Sequence, residues 1–202
     1  MWQGAVRLGA VSDEYRALVE KVAGFCQGVS DRYRAEMACG PGCSSCCHAW
    51  LSVCGVERAQ LTAAIAALPD DKRAELAARG REQQAREQQG RDARCALLDA
   101  DGRCSVYAQR PLVCRTQGLA LRYPQGFIPA ASVRVRLAHG EVTHCPLNFG
   151  ERAPEAADVL DAERVDQLLG LVNLRFAQAS GEDPERRYAI SAIAAAALDP
   201  AL

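Results

Sequence analysis

A dense group of cysteines is the feature that most constrains how this chain can fold. Four of its ten cysteines lie within nine residues, positions 39 to 47, which read Cys-Gly-Pro-Gly-Cys-Ser-Ser-Cys-Cys. A hydrophobic core does not require thiols at this density, whereas a metal ion or cluster needs ligands that converge from separate parts of the chain. The sequence therefore predicts a fold organised around a thiolate-bound metal. The predicted ligands are Cys39, Cys43, Cys46, Cys47, Cys95, Cys104, Cys114 and Cys145.

Length and composition bound the fold class. The 202 residues predict a single domain, residues 1–202. Segments rich in alanine, arginine and glutamate favour helix. We therefore expect an α+β fold that is mainly helical, with a small β-rich cysteine-cluster core. That core, the metal-binding part, is predicted to span residues 39–145, with flanking helices in residues 1–38 and 151–202.

Charge and hydropathy exclude several classes of partner. The formal net charge is −1, whereas nucleic-acid binding requires a basic surface. No apolar run is long enough for a membrane span, so neither a nucleic acid nor a membrane is predicted as a partner. The N-terminus has no basic segment followed by an apolar one, which predicts a cytoplasmic protein without a signal peptide. Disulfides are disfavoured there, and the alternative of a secreted disulfide scaffold suits shorter, loop-rich chains.

The first cysteine group has the local chemistry of a metal site. Residues 40–42, Gly-Pro-Gly, break the preceding helix and form a turn. Cys43 and Cys46 have CxxC spacing, which lets two thiolates bind one metal. Adjacent side chains normally point apart, so we expect one of Cys46 and Cys47 at the site and the other behind it or on a second metal. If Cys47 opens a short helix, the positive helix end lowers the thiolate pKa values.

The later cysteines are predicted to be brought to the same place by short elements. Residues 95–107 predict two short strands joined by an Asp101-Gly102 turn, which brings Cys95 and Cys104 together. Pro111 suits the first position of a helical turn that carries Cys114. Cys145 follows a predicted strand and could close the site. Four arginines flank these cysteines, Arg94, Arg103, Arg110 and Arg115, and could offset thiolate charge and donate hydrogen bonds to sulfur. For Arg110 and Arg115 this role is favoured over that of an ordinary surface arginine.

Four other side chains have simpler interpretations. Cys26 lies on the apolar stripe of a predicted helix and Cys54 follows a short apolar stretch, as buried free cysteines do. His48 and His144 are weaker ligand candidates, and a solvent-facing or hydrogen-bonded histidine is favoured at position 48.

Hydrophobic periodicity predicts the remaining elements. The polar segment 71–91 is interpreted as a solvated helix or mobile linker, in preference to a helix that binds a partner or RNA. The last helix is expected to dock on the surface or in an oligomer. The predicted helices are 12–37, 55–68, 71–91, 156–179 and 184–198, and the predicted strands are 119–123, 128–137 and 141–144, with turns at 124–126 and 139–140.

Three motifs together resemble one known family. They are Cys43-Ser-Ser-Cys46-Cys47, the block from Cys95 to Tyr107, and Arg110-Pro111-Leu-Val-Cys114-Arg115. They resemble the YkgJ family, a zinc- or iron-chelating family named for its CxxCxxCC signature. Cys145 fits the position of the family's last cysteine. Cys39 departs from the signature, because three residues separate it from Cys43 where the signature has two. The resemblance implies a metal-binding domain. Some larger relatives look like flagellin lysine N-methylases with an iron–sulfur centre, but this chain shows no GxGxxG motif or P-loop.

The metal and the role stay open at this point. Two tetrahedral zinc sites would use all eight thiols, and one four-iron cluster would use four. The first hypothesis is a metal-binding protein that holds zinc or iron, including an iron–sulfur cluster. The alternatives are an iron–sulfur-dependent enzyme of redox or methyl transfer, or a metal-shaped interaction module that binds a protein partner or forms a homo-oligomer through its flanking helices. The histidines and carboxylates form no recognisable acid/base pair, so an enzymatic activity is left undecided.

Overall fold

The fold is α+β and mainly helical, as predicted. The structure, a computed structural model, describes residues 12–199 except 41, 125, 126, 130 and 131. Its α-helices are α1 (Asp13–Arg32), α2 (Gly55–Ala66), α3 (Asp70–Gln88), α4 (Leu112–Thr116), α5 (Ala162–Ser180) and α6 (Ile190–Ala195). Single 3₁₀ turns occur at Arg34–Glu36, Ser45–Cys47, Tyr107–Gln109 and Ala156–Asp158.

Two small sheets accompany the helices, a two-stranded antiparallel sheet and a four-stranded mixed sheet. The strands are β1 (Ser52–Val53), β2 (Leu121–Arg122), β3 (Val133–Leu137), β4 (Gly140–His144), β5 (Leu160–Asp161) and β6 (Tyr188–Ala189). β1 pairs with β6, and the other sheet has the order β3-β4-β2-β5 with β2 and β5 parallel. The β3–β4 hairpin turns at Gly140, whose φ of 122° favours glycine, as the predicted turn at 139–140 requires. Part of the predicted turn at 124–126 lies outside the described residues.

The N-terminal helix forms as its sequence predicts. The Ser12 hydroxyl accepts the Tyr15 N–H at 3.2 Å and so caps α1, while Asp13 and Glu14 occupy the first turn, where the helix dipole favours acidic side chains. The α-helix ends at Arg32 rather than at residue 37, and a 3₁₀ turn continues it. Tyr15 and Val22 are buried, which places the apolar stripe of α1 in the core.

The structure corrects both predictions about the polar and C-terminal helices. α3 is not a fully solvated helix or linker, because it packs against α6 and buries Leu76 and Ala77. α6 is much shorter than the predicted 184–198, because residues 188–189 extend as β6 and pair with β1. This pairing draws the alanine-rich segment inward, so that Ile190 and Ile193 are buried in the core rather than at the surface.

The long helix near the C-terminus starts later than predicted. Residues 160–161 pair with β2 as strand β5, so the helix begins at Ala162 instead of residue 156. The Asp161 carboxylate accepts the Arg164 N–H at 3.0 Å and caps it. The predicted end at Ser180-Gly181 is confirmed, because Gly181 adopts a left-handed conformation with φ 72°.

Three apolar clusters hold these elements and provide the base on which the cysteine segments lie. The first joins α2, α3, β1 and α6, and Cys95 and Cys104 pack against its edge. The second lies between the end of α1 and β2, and the third joins α1, α2, α4 and α5. Among the described residues, no helix is both long and apolar enough to cross a membrane.

Candidate metal centre

Six of the eight predicted ligands line one cavity of about 420 Å³. They come from three segments of the chain that are far apart in sequence. All six residues are partly buried. The six cysteines are Cys43, Cys46, Cys47, Cys95, Cys104 and Cys114.

The two adjacent cysteines interact with each other. A 3₁₀ turn over Ser45–Cys47 ends at Cys47, so the prediction that Cys47 opens a short helix is wrong. Both residues line the cavity. Hydrogen bonding between the two thiols lowers the pKa of Cys46 to about 6 and raises the pKa of Cys47. The Cys47 carbonyl accepts the Cys95 N–H at 2.8 Å, which joins the first cysteine group to the second.

The segment that carries Cys95 and Cys104 is a hairpin without regular strands. Its antiparallel pairing is reduced to one bridge, between Leu98 and Cys104, so the prediction of two strands is corrected to a reversed loop. The turn occurs where predicted, with Gly102 at φ 74°. Burial against the first apolar cluster raises the pKa of Cys95 to about 11.

Helix α4 places Cys114 at the cavity. Pro111 is the residue before the helix rather than its first residue, and the following amide, Leu112 N–H, donates to the Glu57 carboxylate at 2.9 Å. Burial is also the main reason that the pKa of the Cys114 thiol is raised. Glu57 is only 2% exposed, so a buried carboxylate on α2 fixes the start of the helix that presents Cys114.

Replacing Glu57 by Gln tests this buried carboxylate. Burial raises the pKa of Glu57 in the folded state, so the folded protein holds this proton more tightly than the unfolded chain does. Wild-type stability is therefore lost as pH rises from the unfolded pKa, near 4.3, through the raised folded value. Gln keeps an oxygen for the Leu112 N–H but does not titrate. We expect the stability of Glu57→Gln relative to wild type to increase between pH 4 and pH 7, measured by urea unfolding. A difference that does not change with pH would contradict this expectation.

Arginines surround the thiols, two of them at the cavity itself. Arg110 stacks its guanidinium 3.6 Å from the centre of the Tyr107 ring and lines the cavity with Arg103. Its charge lowers the pKa of Cys46, Cys104 and Cys114, against the opposing effect of their burial. Positive charge at this position therefore favours the thiolate forms that bind metal.

The other two flanking arginines support the backbone. Arg115 donates from Nε to the Arg110 carbonyl at 2.7 Å, and Arg94 donates to the Asp99 carbonyl at 2.9 Å. Sequence reasoning missed Arg79 of α3, which donates to the Ala96 carbonyl at 3.0 Å and to the Ser105 hydroxyl at 3.3 Å. Nothing in its sequence context points to the hairpin, because the contact depends on how α3 packs.

The last two predicted ligands lie together beside the cavity rather than in its wall. Cys39 accepts a hydrogen bond from Asn148 Nδ2 at 3.2 Å, and Cys145 is buried directly after β4. A side-chain carbon added at Gly118 would lie 2.6 Å from Cys39 Sγ and 3.8 Å from Cys145 Cβ. Gly118 is therefore the point where both cysteines approach the backbone.

Cys26, Cys54, His48 and His144 do not line the cavity. Cys54 is buried as predicted, Cys26 is partly buried between two apolar clusters, and burial raises the pKa of each to about 11. His48 is exposed. His144 is buried with Nδ1 2.8 Å from the Cys145 carbonyl oxygen and its ring edge-on to Phe149.

The donor set fits a soft metal, although the sulfurs do not form a closed shell. In the described part of the chain, no three His, Cys, Asp or Glu side chains are grouped closely enough to enclose an ion. The cavity wall nevertheless offers six thiols, two arginines and no carboxylate. Thiolates select zinc, iron–sulfur clusters or copper(I) over magnesium and calcium.

Comparison with protein families agrees with this chemistry. Residues 38–133 match the model of the CxxCxxCC family, described as a "putative zinc- or iron-chelating domain". Residues 38–133 therefore match this family's domain, and the resemblance noted in the motifs is confirmed. The matched segment contains all the predicted ligands except Cys145, and it supports metal binding in general. No curated protein and no solved structure matches the chain.

Proposed function

We propose that this protein holds zinc or iron through the thiolates of its eight clustered cysteines. The observation that carries the proposal is the single cavity that six of these cysteines line from three separate segments. The family match supports a chelating role for the same segment. The pair Cys39 and Cys145 adjoins the cavity and supplies the remaining two thiols.

The chain's own groups prepare the cavity for a metal. Four thiolates on a divalent ion leave two excess negative charges, and Arg103 and Arg110 can offset them. Glu57 fixes the start of α4, and the Cys47–Cys95 backbone hydrogen bond fixes the first cysteine group against the hairpin. When bound, the metal would join four chain segments through sulfur bonds.

Metal analysis of cysteine variants tests the proposal. We expect purified wild-type protein to contain metal, and Cys46→Ser and Cys114→Ser to lose most of it, because each removes a thiol at the cavity. Cys26→Ser and Cys54→Ser are matched controls, since these cysteines pack in apolar clusters, and they should retain the wild-type content. A metal-free wild type, or equal losses in the control variants, would contradict the proposal.

Purification without air distinguishes the two metals. A colourless protein with about two zinc ions per chain would indicate paired tetrahedral sites with a structural role. Iron with sulfide and visible absorbance would indicate a cluster, and with it the alternative of redox or methyl-transfer chemistry.

A further inference from the structure

A single buried asparagine ties together the chain segments around Cys39. Asn148 is 1% exposed, and its Oδ1 accepts the Ala38 N–H at 2.9 Å. Its Nδ2 donates to the Gly118 carbonyl at 2.7 Å and to Cys39 Sγ at 3.2 Å. Its own N–H donates to the Cys145 carbonyl at 3.0 Å. One side chain therefore holds the residue before Cys39, the sulfur of Cys39 and the loop after α4.

Two unusual backbone positions next to Asn148, Gly118 and Phe149, allow its side chain to lie this close to the Cys39 sulfur. Gly118 has φ 99°, and a Cβ there would lie 2.6 Å from Cys39 Sγ and 3.1 Å from Asn148 Nδ2. Phe149, directly after Asn148, is the one non-glycine residue with positive φ in the described part of the chain, at 58°. Its N–H donates to the Glu36 carbonyl at 3.0 Å, and its ring packs edge-on against Tyr33. A left-handed phenylalanine is unusual and persists only where its surroundings fix it.

We propose that Asn148 is a positioning residue that presents the sulfur of Cys39 as a metal ligand, an inference that rests on the proposed function. Cys39 stands one residue farther from Cys43 than the family signature has it, so its sulfur needs support from elsewhere in the fold. An amide N–H directed at sulfur stabilises a thiolate and fixes its orientation, as outer hydrogen bonds do for other metal ligands. Asn148 and Cys145 both lie beyond residues 38–133, so the matched segment alone does not complete the site.

The variant Asn148→Asp separates this role from packing. It keeps an oxygen for the Ala38 N–H, removes the N–H donor and places a negative charge beside the Cys39 sulfur. We expect zinc affinity, measured by competition with a chromophoric chelator, to fall about 10- to 100-fold. Asn173→Asp is the matched control, because Asn173 is also buried, at 4% exposed, and bonds the Val56 N–H at 3.1 Å and the Pro184 carbonyl at 2.8 Å. It contacts no sulfur in these bonds, so its zinc affinity should equal that of wild type.

Cobalt substitution and a double variant identify the atom through which Asn148 acts. Cys39→Ser should weaken the thiolate-to-cobalt charge-transfer absorbance of the cobalt-loaded protein, because one sulfur is lost. In the Cys39→Ser background, Asn148→Asp should cause no further loss of zinc affinity, since coupled residues are not additive. Equal losses with and without Cys39, or a Cys39→Ser protein with the wild-type cobalt spectrum and zinc affinity, would overturn the inference. The Cys39→Ser measurement does not require the Asn148→Asp variant, so it tests the inference even if that variant does not fold. A wild-type chain that binds no metal would overturn the proposed function as well, whereas the other two results leave metal binding by the cavity cysteines intact.

Discussion

Removing the metal with a chelator is expected to lower the melting temperature of this protein by about 10 °C or more. Six of the eight predicted ligands lie in residues 37–51 and 89–106, whose described residues contain one 3₁₀ turn and no α-helix or strand. The order of these segments therefore depends on apolar contacts at the edge of the first cluster, on a few backbone hydrogen bonds and, under the proposed function, on metal–sulfur bonds. Structural zinc contributes on the order of 10 kcal/mol in small domains, and about 1 kcal/mol shifts the melting temperature of a chain this long by about 2–4 °C.

Differential scanning calorimetry before and after chelation measures this effect. Returning zinc or iron to the stripped protein should restore the original transition, because binding and folding of these segments are linked. The Cys54→Ser protein, which keeps all eight predicted ligands, should show the same loss and recovery. A melting curve that chelation leaves unchanged would mean that the cysteine segments are held by the apolar clusters alone.

Replacing Gly80 by alanine is expected to be the most damaging single change away from the cysteines. An added Cβ would lie 2.2 Å from the Ala195 nitrogen and 2.7 Å from the Ala194 carbonyl carbon, both backbone atoms of α6. Backbone cannot rotate away as a side chain can, so α3 and α6 must separate and open the first apolar cluster. We expect a loss of about 3 kcal/mol or more in the free energy of unfolding.

Glycines in α1 provide the matched control for this prediction. Gly24 and Gly28 also lie inside a helix, but a Cβ at either position meets nothing within 4 Å. Alanine there should stabilise the protein by about 0.5–1 kcal/mol, because alanine is the better helix former. Urea unfolding of the three variants compares them directly. Similar effects at positions 80 and 24 would show that α3 and α6 are not packed this closely.

Several predictions that depended on local signals were confirmed by the structure. The Ser12 cap, the end of α5 at Gly181, the turn at Gly140 and the burial of Cys54 each follow from one residue and its immediate neighbours. The spacing of the cysteines likewise predicted a convergence that six of them show at one cavity. The caps and turns depend on short-range chemistry, whereas the convergence of the cysteines was predicted from what a metal site requires.

The largest features that sequence reasoning missed are tertiary. No sequence pattern at residues 188–189 predicts that they pair with β1. That pairing determines the length and burial of α6. The polar composition of α3 gives no sign that it packs against another helix. Gly80 permits this packing, because its lack of a side chain lets α6 approach closely. Asn148 reads as an ordinary polar residue until its three partners, from distant segments, are seen together.

X-ray absorption spectroscopy at the metal edge of the purified protein tests the central claim most directly, because it measures which atoms surround the metal. A metal bound by these cysteines should show a first shell of sulfur, with about four sulfurs at about 2.3 Å if the metal is zinc. The Cys46→Ser protein should lose this shell or part of it. A first shell of nitrogen and oxygen at about 2.0–2.2 Å, unchanged in Cys46→Ser, would contradict the assignment of the clustered thiols as ligands.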